Sequence, residues 1–192
     1  QILGISTFPY SLKDFFLEGT QQVSASWITL ENLSFPYCIS INSSYIYEQS
    51  TDERINQNDA AITLAHELGH YLGLRHVFSE GGTTSMCTDT DYCKDTPSYN
   101  RSEYEQWLNN LDKQNKYQLK DLAKRYSCEK GEYEAHNIMD YAYCFYNEIT
   151  LEQRKRIRHI LNYSPLIPGP KESRIDTRGV QGRLNLPICI MK

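Results

Sequence analysis

No stretch of this chain is apolar for long enough to cross a membrane. Positive charge is not in excess either. The formal net charge is −4, and a chain whose main partner is nucleic acid needs a basic face. The most basic run, Arg154-Lys155-Arg156-Ile157-Arg158, falls in a helical pattern and reads as a solvated helix face. None of the six cysteines (Cys38, Cys87, Cys93, Cys128, Cys144, Cys189) forms a CxxC pair, which disfavours a cysteine-rich structural zinc site. Repeats and low-complexity tracts are missing too. So is a basic start followed by a long apolar segment. The chain opens Gln1-Ile2-Leu3-Gly4 without a signal peptide, and so abrupt an apolar opening reads as a mature or trimmed form.

What is present fits a soluble globular chain. Charge is mixed, and 192 residues suffice for one domain with a core or for two small lobes around a cleft. An even number of cysteines scattered through loops suits disulfides in an oxidising compartment, although buried thiols of a cytosolic protein suit it also. Six cysteines allow 15 pairings, and sequence does not choose among them.

Short apolar or alternating stretches predict strands at Ile2–Phe8 and Cys38–Tyr47, and a strand or loop edge at Val23–Leu30. Asn58 and Asp59 are good helix starters for Ala60–Leu72, where Ile62, Leu64, Ala65, Leu68 and Leu72 recur at helical spacing. Gly73 is placed to end that helix. Residues 79–100 read as irregular chain. Ser102 with Glu105, and Thr150 with Gln153, form capping-box patterns. They open a helix to about Leu111 and another carrying Ile157, Ile160 and Leu161 on one face. A short helix is expected over Tyr117–Tyr126, loop and turns over 128–148, and an edge strand at Leu186–Met191.

The chemistry is concentrated in His66-Glu67-Leu68-Gly69-His70-Tyr71-Leu72-Gly73-Leu74-Arg75-His76, which holds three of the five histidines. Residues four apart share a helix face, so His66 and His70 can bind one Zn²⁺ through neutral ring nitrogens. Gly73 lets the chain turn back so that His76 becomes the third ligand. Three protein ligands leave the fourth position to water, which is the pattern of a catalytic zinc. Glu67 suits a carboxylate that bonds the zinc-bound water without ligating the metal and serves as general base. His159 reads as a surface or packing residue. His136 reads as a second-layer residue of the site or, equally, as a loop hydrogen-bonder.

HExxHxxGxxH followed later by a Met-containing turn is the mark of metzincin peptidases, and Asn137-Ile138-Met139-Asp140-Tyr141 supplies such a turn. Within that clan the chain most resembles the pappalysins. The shared features are the zinc segment through Val77-Phe78, the acidic segment Asp91 to Asp95-Thr96-Pro97, and Asn137–Tyr141 with Cys144 and Asn147–Gln153. The opening Leu3-Gly4 to Phe8-Pro9 resembles the group's early strand. The resemblance covers about residues 2–160. It implies an α+β, two-lobed zinc peptidase with a twisted mixed sheet, an active-site helix and a smaller irregular lower lobe. All of 1–192 would be one catalytic domain, with the upper lobe at about 1–76 and the lower at about 77–192. Met139 would be an apolar floor beneath the zinc, and Tyr141 would help stabilise the oxyanion. Asp89, Asp91, Asp95 and the Thr96 carbonyl would be oxygen ligands for a calcium ion, against the reading of a solvated acidic loop. The chain departs from the family at Thr90, where glycine is usual, and at Cys93, where an apolar residue is usual. The insertion between Pro97 and Cys128 departs too, as does a start that lacks a first sheet strand. The favoured disulfides would be Cys87–Cys128, Cys93–Cys144 and Cys38–Cys189.

The function these features imply is a secreted, periplasmic or cell-surface zinc endopeptidase, a monomer acting on protein or peptide substrates. Two alternatives accompany it: a latent or single-substrate peptidase, and a zinc-binding homologue without turnover, although Glu67 and all three histidines speak against the second.

Overall fold

The structure is a computed structural model that describes residues 2–29, 31–33, 37–45, 60–78, 90–113, 115–127 and 129–167. Its strands are short: β1 (Gly4–Ser6), β2 (Tyr10–Leu12), β3 (Gln21–Val23), β4 (Ile39–Ile41), β5 (Lys124–Ser127) and β6 (Gly131–Glu134). Four α-helices accompany them: α1 (Ala60–Tyr71), α2 (Arg101–Asn109), α3 (Leu119–Leu122) and α4 (Leu151–Tyr163). The elements are α+β, as expected. In place of one twisted mixed sheet, however, the described strands form three two-stranded sheets: β1 antiparallel to β4, β2 parallel to β3, and β5 antiparallel to β6.

Helix α1 packs on β1 and β4, so the first sheet lies against the face that carries the histidine motif. It ends where the sequence predicts. Gly73 has φ +87°, and the bonds Leu74 N–H to Gly69 O (2.9 Å) and Gly73 N–H to His70 O (2.9 Å) close a Schellman turn. The periodic leucines behave otherwise than expected: Leu64 and Leu68 are exposed, and the buried face of α1 carries Thr63, His66, Glu67 and Gly69. In this helix the protected stripe is the polar, chemical one.

Two apolar clusters hold the rest. One joins Leu74, Val77, Phe78, Tyr99, Tyr104 and Met139, directly behind the motif. The other joins Tyr37, Ile160, Leu166 and Ile167 and ties α4 to the early part of the chain. Thr150 and Gln153 form the predicted capping box on α4. On that helix Ile160 is buried but Leu161 is exposed. Arg156, expected on a solvated face, is buried instead. It donates from Nε (3.2 Å) and Nη2 (3.1 Å) to the Gly73 carbonyl and from Nη2 to Glu18 O (2.9 Å). The basic run therefore fastens α4 to the turn that ends α1.

Other boundaries shift for local reasons. Asn100, not Ser102, caps α2, its side chain accepting from the amides of Ser102 and Glu103, and the helix stops at Asn109. The helix expected at 117–126 is one turn, α3, after which the chain enters a strand. The following "loop" is its partner strand, β6, turned through Gly131 at φ +76°. The strand expected from Val23 ends at that residue, and a 3₁₀ turn follows at Ala25–Trp27. Asn58, Asp59 and Leu186–Met191 lie outside the described residues.

Replacing Gly73 tests this frame. A Cβ there stands 2.8 Å from Ile160 Cγ1, and the left-handed conformation alone costs about 1–2 kcal/mol for a residue with a side chain. Gly73→Ala is expected to lower unfolding stability by at least that much in a urea titration; an unchanged midpoint would contradict the turn described.

Candidate metal centre

The three histidines meet. His66 Nε2 lies 3.2 Å from His76 Nε2, and His70 Nε2 lies 3.0 Å from it. Ligand nitrogens 2.0–2.1 Å from one tetrahedral zinc stand about 3.3 Å apart, so the spacing fits a shared ion. The other nitrogens decide how the contacts should be read. His66 Nδ1 faces Ile138 O at 2.7 Å and His70 Nδ1 faces Leu74 O at 2.8 Å. A ring nitrogen facing a carbonyl must carry the proton, so both Nε2 atoms present lone pairs inward. His76 can donate to only one of them. A cation satisfies all three at once, and this is the one group of potential metal ligands found among the described residues. Burial, with His70 nearby, pushes His66 down to about 3, which keeps the ring neutral and able to ligate.

Backbone carbonyls thus orient two of the rings. Leu74 O is brought under His70 by the Schellman turn. Ile138 O comes from the Met-turn, which is fixed in its own way: Asn137 and Gln153 exchange paired amide hydrogen bonds (2.8 and 3.0 Å), and Asn137 Oδ1 also accepts from Met139 N–H at 3.0 Å. Met139 is fully buried. Its sulfur passes so near α1 that a Cβ on Gly69 would lie 2.4 Å away, so the glycine inside the helix is a clearance for the methionine.

Glu67 lies on the same helix, tucked under β1, where a Cβ on Gly4 would meet Glu67 Cγ at 2.8 Å. Burial raises its pKa, and the nearby Ser6 hydroxyl and His76 partly counter that rise. Tyr141 is part-exposed beside the histidines, its ring 4.4 Å from that of His76 and 5.4 Å from that of His66. The Arg101 guanidinium rests 4.7 Å above the Tyr141 ring.

Beneath the Met-turn lies an ion pair that sequence reading missed. Arg125 and Asp140 have side chains 0% and 1% exposed, with Nε and Oδ2 3.5 Å apart. Asp140 Oδ1 accepts from Tyr99 O–H (2.5 Å) and Tyr141 N–H (2.7 Å). Arg125 donates to the carbonyls of Leu122, Lys124, Tyr141 and Tyr143 and lies 3.6 Å over the Tyr104 ring. Burial pushes the Asp140 carboxyl up, and Arg125, Tyr99 and the Tyr141 amide pull it back. Asp140 is therefore spent inside the protein and does not offer a substrate a free negative charge.

Of the expected calcium ligands, Asp91 and Asp95 both hold hydrogen bonds from the chain itself. Asp91 accepts from Cys93 N–H (2.9 Å) and Thr96 O–H (2.7 Å). Asp95 accepts from Thr150 O–H (2.8 Å) and Glu152 N–H (2.9 Å) at the start of α4. Both carboxylates thus answer donors of the chain itself, and Asp89 lies outside the described residues. The Cys93–Cys144 disulfide is not formed. Both are buried free thiols, and Cys144 donates to Ala135 O (3.1 Å) and Asn137 O (3.3 Å). Cys38 is free too, and Cys87, Cys128 and Cys189 lie outside the described residues. His136 makes a loop contact to Asn147 (3.0 Å), and His159 contacts Phe15 O (2.9 Å) and packs against Tyr163.

A helix bearing two histidines and a carboxylate, a tight glycine turn to a third histidine and a methionine floor together define the class: a metallopeptidase-type zinc centre. Residues 27–162 match the model of the peptidase family described as Pregnancy-associated plasma protein-A, and the chain belongs to that family, the pappalysins. Among curated relatives, extracellular metalloproteases of Arthroderma benhamiae and Trichophyton verrucosum are each 37% identical over 108 residues, 55% of this chain and 32% of theirs. One of Arthroderma otae is equally similar, with 33% of its length covered. The chain thus spans about a third of the length of these relatives. No solved structure matches it.

Arg125→Leu is expected to cost about 3–5 kcal/mol of unfolding stability, because it leaves Asp140 buried without its counter-charge. The double variant Arg125→Leu/Asp140→Leu should recover part of the loss. Additive losses in urea titrations would contradict the coupling.

Proposed function

We propose that this chain is the catalytic part of a secreted zinc-dependent endopeptidase, with His66, His70 and His76 as metal ligands and Glu67 as general base. The observation that carries the reading is the convergence of three imidazole Nε2 atoms beside a buried carboxylate. Membership of a peptidase family supports it, as do relatives named extracellular metalloproteases. No helix among the described residues is long and apolar enough to cross a membrane.

Zinc, when bound, supplies Lewis-acid polarisation of the scissile carbonyl and lowers the pKa of a bound water towards about 7. The chain does the rest. Glu67 takes a proton from the attacking water as its oxygen bonds to the carbonyl carbon. It then gives that proton to the nitrogen as the C–N bond breaks, so one water is consumed and an acid and an amine leave. Burial keeps Glu67 less acidic than an exposed carboxylate, which suits a group that must hold a proton between the two steps. We assign Tyr141, whose ring lies against those of His66 and His76, to hydrogen-bonding the oxyanion. We read the chain as a single domain, with the part to about residue 76 above the substrate and the remainder below it.

Glu67→Gln tests the mechanism. It should retain zinc at the wild-type stoichiometry and lose at least about 10²-fold in hydrolysis of unfolded protein, the share a general base contributes. Equal cleavage by variant and wild type would remove Glu67 from the mechanism. A wild type that binds zinc and cuts nothing would favour the latent or non-catalytic reading.

A further inference from the structure

The peptidase reading leaves open which peptides are cut, and the cavities beside the motif bear on that. Among the described residues, two cavities border the histidines. One, of about 940 Å³, borders His70. The other, of about 580 Å³, borders His66 and Glu67 and runs between α1 and the segment after the Met-turn. Glu67 tells the two sides apart. Because it hands its proton to the departing nitrogen, it must stand on that nitrogen's side of the cleft. The cavity beside Glu67 therefore receives the side chain of the residue that follows the cut.

Its lining combines tyrosines with Ile2, Leu3, Ile5 and Ile62, and apart from Glu67, which the reaction itself uses, its charged groups are paired. Tyr99, Tyr104 and Tyr146 are among its lining residues. Their hydroxyls are engaged with Asp140, the Leu122 carbonyl and the Ala142 carbonyl. Asp140, at one wall, is neutralised by Arg125. Arg101, at the rim, is bonded to Glu105 at 2.6 Å and stacked on Tyr141 and Phe78. Arg125 holds the Tyr141 and Tyr143 carbonyls beside this wall, and Ala142 and Tyr146 turn the chain at φ 57° and 51°. A charged side chain entering here would give up water and meet a counter-charge that already has a partner, whereas an apolar one would gain contact with ring faces.

We propose that this cavity selects a large uncharged side chain, aromatic or aliphatic, immediately after the scissile bond, and that the chain disfavours Lys, Arg, Asp and Glu there. The inference rests on the peptidase reading for the identity of the site.

Two measurements test it. The first is the set of cut sites that zinc-loaded protein leaves in a library of peptides from denatured proteins, for wild type and Ile62→Asp. Ile62 lines the cavity in the first turn of α1, where a carboxylate suits the helix dipole. Wild type should cut before Phe, Tyr, Leu and Met at least about tenfold more often than before Lys or Arg. The variant, carrying an unpaired carboxylate, should gain cuts before Lys and Arg. Wild-type cutting before Lys, Arg, Asp or Glu at equal or greater frequency overturns the inference and leaves the peptidase reading standing. The second is calorimetric binding of short synthetic peptides that differ only at that residue to zinc-loaded Glu67→Ala protein. Phe should bind at least about tenfold tighter than Lys or Asp. Equal affinities overturn the inference. If wild type cuts no peptide, the peptidase reading fails while this affinity ranking still judges the cavity.

Discussion

Imidazole lone pairs aimed at one point repel one another and cannot all be satisfied by protons once their far nitrogens are committed to carbonyls. That constraint governs the architecture around His66, His70 and His76. With Ile138 O and Leu74 O fixing two rings, the pocket between the three Nε2 atoms is preorganised for a cation before one arrives. Holding the two carbonyls in place is the task that much of the described structure performs. The Schellman turn at Gly73 delivers one, and the Met-turn, latched by Asn137 and Gln153, delivers the other.

The two supports are themselves fastened. Arg156 reaches from α4 to the Gly73 carbonyl, while Gln153, one helical turn earlier, grips Asn137. A single helix thereby braces both carbonyl-bearing turns, and its start is fixed by Asp95. The buried Arg125–Asp140 pair sets the chain beyond the Met-turn and, with it, both Tyr141 and the cavity wall. The charges of Arg125 and Asp140 are thus used to shape the site, and four tyrosines line the cavity beside Glu67.

The centre was legible in the sequence because its chemistry is local. His66, Glu67 and His70 lie within two helical turns, Gly73 announces the turn, and the Met-turn is a short motif. The capping pair Thr150 and Gln153 was legible for the same reason. What was illegible depends on partners distant in the chain. Nothing in Arg154-Lys155-Arg156 marks Arg156 as the residue that turns inward, and the leucine spacing of α1 pointed to Leu64 and Leu68, although burial falls on Thr63, His66, Glu67 and Gly69. The β5–β6 hairpin went unread because the Lys, Glu and Gly in its two four-residue strands outweigh the single tyrosine that each contains. Gly69 was the readable clue left unused, since a glycine inside a helix asks for a packing reason, and here Met139 is that reason.

X-ray absorption of the zinc-loaded protein at the zinc edge tests the central claim most directly. The account predicts one zinc per chain with three imidazole nitrogens at 2.0–2.1 Å, one oxygen as fourth neighbour, and no sulfur. A coordination shell containing sulfur, or one closed by four protein ligands, would contradict it.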